Sequence, residues 1–284
     1  MIRTITTASV LALTTGAASA GGHSGLMGYA LADNGQTLVV MPSLSDPATV
    51  ETVDLSVPMR AIAYRPVTGE LVGFSGGSVF NIDPMTGTLN DLGATFMEDA
   101  AIDADAAVAF DFNNAIDAVR AVGSDGTNLV YFPEGFGDMD DRAGSVRKFT
   151  DTFYGFDDPN FGEVPEVFAN AYTNAVSGMT ATTTKQYVLD SQTNALVSLA
   201  NNAGELSSVG YLEMNGEAVD ILPVGGFDIV SPEEGTDLAY AILQKDGAAT
   251  AGLYAIDLES AVLTQLADLG RDDFTGFAVS MGAM

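Results

Sequence analysis

Phe80-Asn-Ile82-Asp83 is followed by Thr86, Gly87 and Leu89; Tyr187-Val-Leu189-Asp190 by Thr193, Asn194 and Leu196; and Tyr254-Ala-Ile256-Asp257 by Ser260, Ala261 and Leu263. Each copy places an aliphatic residue two positions after the aromatic, an Asp three after it and a Leu nine after it. Residues two apart share one face of a strand, so the aromatic and the aliphatic belong to one buried sheet face. The Asp ends the strand, where its carboxylate can accept bonds from turn N–H groups with a Thr or Ser nearby. Gly87 and Asn194 suit a left-handed turn residue. Ala261 departs from that pattern and predicts a turn of another type. The element is a β-hairpin used three times, and its aspartates read as turn builders.

A second element recurs five times: Ala61-Ile-Ala-Tyr64, Ala109-Phe-Asp-Phe112, Ala169-Asn-Ala-Tyr172, Gly226-Phe-Asp-Ile229 and Gly276-Phe-Ala-Val279. Short residues alternate with mostly large ones, which suits a strand with one crowded face. The copies start 48, 60, 57 and 50 residues apart, about the length of a four-stranded propeller blade with its loops. Three strand candidates, Leu26–Leu31, Gln36–Met41 and Thr49–Leu55, precede the first copy and lack an inner strand of their own. Gly276–Val279, in turn, has no strands after it. Pairing the C-terminal strand with the N-terminal ones closes a ring and leaves no free sheet edge at the closure. The expected fold is all-β, a single propeller of five four-stranded blades. A β-sandwich fits five similar inner strands at this spacing poorly. Glu98–Ala107, Glu134–Gly144 and Asp157–Glu166 read as irregular insertions between strands.

Composition narrows the chemistry. The 284 residues carry 38 acidic and 10 basic side chains, a net charge of −28, with one histidine and no cysteine. Without cysteine there is no disulfide framework, zinc ribbon or iron–sulfur cluster. A lone histidine argues against histidine-based triads and multi-histidine metal sites. So acidic a chain is not expected to bind nucleic acid or anionic lipid, both of which attract basic surfaces. Residues 1–20, MIRTITTASVLALTTGAASA, place Arg3 before a mildly apolar run from Ile5 to Leu13 and end on Ala18-Ser19-Ala20. That is the layout of a secretory signal peptide cleaved near Ala20, and the run is too short to span a bilayer. Export to the periplasm or medium is expected, with residues 21–284 as one propeller domain and no membrane span. The acidic surface then reads as adaptation to a saline setting, or more sharply as a recruiter of divalent cations.

Phe110-Asp-Phe-Asn-Asn-Ala-Ile-Asp117, Val119-Arg120 and Gly126-Thr-Asn-Leu129 resemble the hallmark stretch of a bacterial family catalogued as domain of unknown function 4394. Ala61-Ile-Ala-Tyr-Arg-Pro-Val-Thr-Gly-Glu-Leu71, Ile82-Asp-Pro-Met-Thr-Gly87, Ala171-Tyr-Thr-Asn174, Gly226-Phe-Asp-Ile229 and Leu253-Tyr-Ala-Ile-Asp257 are similar to further segments in family order, over roughly residues 26 to 279. Asn114 stands where the family usually has Pro. The resemblance implies a secreted, repeat-built β protein. It implies no established activity and no catalytic residues.

Candidate sites come from the residues themselves. Asp111 and Asp228 occupy the third position of two inner strands, where the other copies have Ala63, Ala171 and Ala278. Inner strands line a propeller's channel, where carboxylates can either hold a hard cation such as calcium or accept bonds from the backbone of a neighbouring blade. Asp157, Asp158 and Asn160, in Gly155-Phe-Asp-Asp-Pro-Asn-Phe-Gly162, offer closely spaced oxygens for calcium but lack the full EF-hand set; the other reading is a polar turn begun at Asp158-Pro159. Glu98, Asp99, Asp103 and Asp105 read as a solvated loop. His23 sits in Gly21-Gly-His-Ser-Gly25, a poor setting for a catalytic base. Arg60, Arg65 and Arg120 are each expected to pair with a nearby carboxylate. No GxSxG elbow, Walker loop, HExxH or dinucleotide fingerprint occurs. Two functional readings follow: a non-catalytic module binding an extracellular or envelope ligand, and a calcium-dependent hydrolase or lactonase with its metal in the channel. The sequence leans toward the first.

Overall fold

The computed structural model describes residues 25–282; the expected signal peptide and His23 lie outside the described residues. Five antiparallel sheets form the blades of a propeller. From channel to rim, blade one is Gly276–Met281, Leu26–Ala32, Thr37–Met41 and Glu51–Asp54. Blade two is Ala61–Arg65, Glu70–Ser75, Ser78–Ile82 and Leu89–Asp91. Blade three is Val108–Asn113, Ala118–Gly123, Asn128–Phe132 and Ser145–Lys148. Blade four is Val167–Tyr172, Gln186–Asp190, Ala195–Leu199 and Glu205–Tyr211. Blade five is Ile221–Glu233, Thr236–Lys245, Gly252–Ile256 and Leu263–Asp268.

The ring closes as the sequence predicts. Gly276–Met281 pairs antiparallel with Leu26–Ala32 in register Leu26↔Met281 to Leu31↔Gly276. Each inner strand packs on the next, and the strand of blade five packs on that of blade one. Blades three and four exceed four strands. The linkers leading into them, at Thr95–Phe96 and Phe153–Tyr154, first add a short parallel strand to the rim.

The core lies between blades. Phe74 and Val72 of blade two pack with Phe110 and Val119 of blade three. Leu31 and Leu38 of blade one pack with Ile62 and Leu71 of blade two, and Tyr240 and Ile242 of blade five with Phe277 and Val279 of blade one. Each buried side chain of this size contributes about 1.5–3 kcal/mol, so the seams carry the stability and fix the channel geometry.

The hairpin repeat builds one turn three times. Asp83 Oδ1 accepts from Met85 N at 2.9 Å, and Gly87 N donates to Asp83 O at 2.8 Å. Asp190 Oδ1 accepts from Gln192 N. Asp257 Oδ1 accepts from Ser260 N at 2.9 Å, and Ala261 N donates to Asp257 O at 2.9 Å. The expectation of a different turn at Ala261 is corrected. Its φ of 61° matches 69° at Gly87 and 52° at Asn194. A left-handed alanine costs about 1–2 kcal/mol, and here its methyl is buried in the core between blades four and five, which offsets part of that cost.

Candidate functional site: a plugged channel and its mouth

Inner strands pair on one edge with their own blade and present the other to the channel, so their unpaired amides need acceptors. Two side chains supply them. Asp111 Oδ2 accepts from Tyr172 N at 2.7 Å, one blade on. Asp228 Oδ2 accepts from Val279 N at 2.5 Å, also one blade on, while Oδ1 accepts from its neighbour Ile229 N at 2.7 Å. Asp111 likewise bonds the amide of its neighbour Phe112. Phe112, Tyr172, Ile229 and Val279 are the fourth residues of their inner-strand copies. Two third-position carboxylates thus hold four of the five fourth-position amides.

Both aspartates are buried, at 4% and 5% exposure. Burial and the neighbouring Asp228 charge push the Asp111 carboxyl well above the usual carboxylate range. Burial lifts Asp228 to about 7, against the pull of its two backbone amides. Acids so raised could move protons near neutrality, but they face a cavity of only about 10 Å³, room for about one water-sized probe. Among the described residues, no group of three or more His, Cys, Asp or Glu side chains is disposed to hold a metal ion. The polar inner-strand residues Asn113 and Asn170 are engaged elsewhere. Asn113 Oδ1 accepts from Ala115 N and Thr184 Oγ1, and Asn170 bonds Gln186 and the Arg120 carbonyl.

The loop candidates are engaged with the rim of blade four. Asp158 accepts from Ser208 N, Ser208 Oγ and Asn160 N at 2.6–2.9 Å. Asn160 donates to Ser208 Oγ and accepts from Tyr211 Oη. Asp157 is exposed. The geometry is that of a turn riveted to the outer strand.

Of the three arginines, Arg65 forms the expected ion pairs, with Asp117 and Glu70. The expectation is corrected for the other two. Arg60 donates to the carbonyls of Ile102, Asp103 and Ala106, which staples the loop entering blade three. Arg120, 3% exposed, donates to Tyr172 Oη, Asn128 Oδ1 and Asn202 Oδ1. It stands directly across the sheet from Asp111, yet Asp111 turns to the Tyr172 amide, and Tyr172 links the two.

At the face where the inner strands begin, the channel widens to a cavity of about 340 Å³. Met59, Val108, Phe168 and Val224 give it apolar walls, and Arg60 and Asp105 add charge. Below it an apolar waist with Phe110, Phe227 and Phe277 leaves about 10 Å³, so the mouth is closed off from the aspartates. Sequence reading found Arg60 and Asp105 but not the rest of the wall. Its one local signal is Pro223-Val-Gly225, where Gly225 at φ 110° sits at a register shift in the inner strand of blade five. A Cβ there would meet Ile242 O at 2.0 Å.

The model of a family described as domain of unknown function (DUF4394) matches residues 39–278. The chain belongs to that family. No curated protein matches this DUF4394 chain. Among solved structures it is similar to a structural genomics protein of unknown function from Bacteroides thetaiotaomicron, at 11% identity and TM-score 0.48, over 75% of this chain and 52% of that one. Auxiliary nutrient binding proteins from Bacteroides thetaiotaomicron and Bacteroides ovatus each match at 12% identity and TM-score 0.43, over 75% of this chain and 55% of theirs. The DUF4394 chain therefore spans about half the length of these structures.

Proposed function

We propose that this protein is an exported, acidic, non-catalytic binding propeller, working in the periplasm or extracellular space, whose ligand seats in the channel mouth. The observation that carries the reading is the separation of the mouth from the acids. The mouth, about 340 Å³, lies within the 300–1,000 Å³ range of ligand sites. The raised carboxylates lie beyond an apolar waist, facing about 10 Å³. All five blades contribute to the mouth, so a ligand there is held by a rigid ring. The net charge of −28 keeps nucleic acid away, and among the described residues no helix is long and apolar enough to cross a membrane.

The competing reading, a calcium-dependent hydrolase or lactonase using Asp111 and Asp228, has one observation in its favour: the two aspartates do converge. Purified protein separates the two. A fragment screen by NMR is expected to give ligands whose binding is lost in Val224→Trp, which fills the mouth. Ester or lactone turnover that needs calcium and vanishes in Asp228→Ala would overturn the binding reading. So would a calcium-dependent rise in melting temperature that is lost in Asp111→Ala and is accompanied by turnover.

A further inference from the structure

On the opposite face, where the inner strands end, a cleft of about 350 Å³ opens between blades one and two. We propose that it is a binding site for a small organic cation, an amine or quaternary ammonium, held against Tyr29 and Tyr64 with Asp83 supplying charge. It is a different cavity from the mouth, so its failure leaves the mouth reading standing, and the reverse.

The wall chemistry selects the ligand class. The Tyr29 and Tyr64 rings lie parallel, 5° between planes and 6.2 Å between centroids, and both line the cleft, Tyr29 buried at its floor and Tyr64 half-buried. Met27 and Met281 flank them, and polarizable thioethers adapt to apolar groups of varied shape. The charged side chains lining the cleft are Glu70 and Asp83, both acidic. Glu70 is occupied by Arg65, Thr68 and Asn81. Asp83 has no basic partner in salt-bridge range among the described residues; its Oδ1 holds the turn amides of Met85 and Thr86, which fixes the carboxylate at the rim. Aromatic faces attract cations, most strongly when water is excluded, and the field of a −28 chain raises cation concentration at its surface. An anion finds no basic lining residue here, and a hydrocarbon makes no use of the Asp83 charge.

Calorimetry on the purified chain tests this with tetramethylammonium, choline and putrescine, and with 3,3-dimethylbutan-1-ol as the uncharged isostere of choline. At least one cation is expected to bind saturably, and choline roughly tenfold tighter than its isostere. Tyr64→Leu is expected to weaken binding roughly thirtyfold, while Tyr64→Phe, which keeps the ring, retains it. Asp83→Asn keeps an oxygen for the turn amides and removes the charge, so it reads the electrostatic part even if Tyr64→Leu fails to fold. It is expected to weaken binding several-fold. Equal affinity for the isostere would overturn the proposal, as would unchanged binding in Asp83→Asn together with any folded Tyr64→Leu protein. The absence of any cation binding tighter than about 10 mM would also overturn it.

Discussion

Replacing Asp228 by Asn should remove a pH dependence that runs opposite to ordinary acid denaturation. Burial lifts the Asp228 carboxyl from its ordinary 3.8 to about 7. A carboxyl raised on folding binds its proton more tightly in the native state. Its contribution is fully present below the unfolded value and is lost as pH rises through the folded one. At 1.36 kcal/mol per unit, the ionised form carries a penalty of about 4 kcal/mol above neutrality. Between about pH 8 and pH 5.5 Asp228 by itself should return about 2 kcal/mol, a rise in melting temperature of roughly 4–8 °C for a chain of this size. Exposed carboxylates titrate near pH 4, so most of the −28 charge stays constant across this window. The assay is urea unfolding and thermal melting at fixed ionic strength, wild type against Asp228→Asn. Asn keeps one acceptor and sets its amide group against the other N–H, a loss of about 1–3 kcal/mol. The variant should therefore lie within about 2–3 kcal/mol of wild type at about pH 8, and down to about pH 5.5 its stability should rise less than the wild type's, the remaining rise belonging to Asp111, which burial still holds above the usual carboxylate range. A wild type whose stability is flat or falls on acidification, or an Asn variant that keeps the wild-type slope, would refute the reasoning.

Arg120→Lys keeps the charge but cannot reach Tyr172, Asn128 and Asn202 at once; it should cost about 2–3 kcal/mol in urea unfolding, and a loss under about 0.5 kcal/mol would show that the guanidinium fork is dispensable. Gly87→Ala would set a Cβ 2.5 Å from Asp54 O at φ +69° and should cost about 2 kcal/mol or more. Ala261→Gly in the matching turn trades relieved strain against a buried methyl and should stay within about 1 kcal/mol of wild type, so equal effects at the two sites would refute the shared-turn account.

What the sequence made legible was what repeats. The inner-strand copies and the Asp-ended hairpins each occur often enough to reveal their period, and the period alone dictated five blades and the closing strand. The extra rim strands of blades three and four were not legible, because two-residue strands carry no alternation. Asp111 and Asp228 stood out only as exceptions to a column of alanines. Their partners were hidden, since backbone amides 61 and 51 residues away have no sequence signature. Arg120 misled for a related reason. Its cross-strand neighbour is the expected carboxylate, but that carboxylate is already held by the Tyr172 amide, and neutral oxygens on Tyr172, Asn128 and Asn202 were the acceptors left. The mouth was invisible because much of its wall is built where loops from separate blades converge.

The two aspartates do not occupy equivalent seams. Asp111 ties blade three to blade four, both formed by consecutive chain. Asp228 ties blade five to Val279, in the strand that completes blade one and closes the ring. With no cysteine in the chain, that closure is held by strand pairing, by the packing of Tyr240 and Ile242 against Phe277 and Val279, by Asp33 with Arg271 and Asp273 at the surface, and by the buried Asp228 carboxylate. Ionising Asp228 strengthens each of its amide bonds locally, yet it exacts a desolvation cost in this buried site. Because the shift is upward, the cost outweighs the bonds. The closing seam is thus held by an acid whose neutral form is favoured up to about pH 7, and near neutral pH the ring closes against part of that penalty. Acidification should therefore tighten the seam between blades five and one before the seam between blades one and two, which has no such acid. Amide exchange at Val279 compared with Leu31 and Ile62 reads that difference, and equal change at both seams would place the penalty elsewhere.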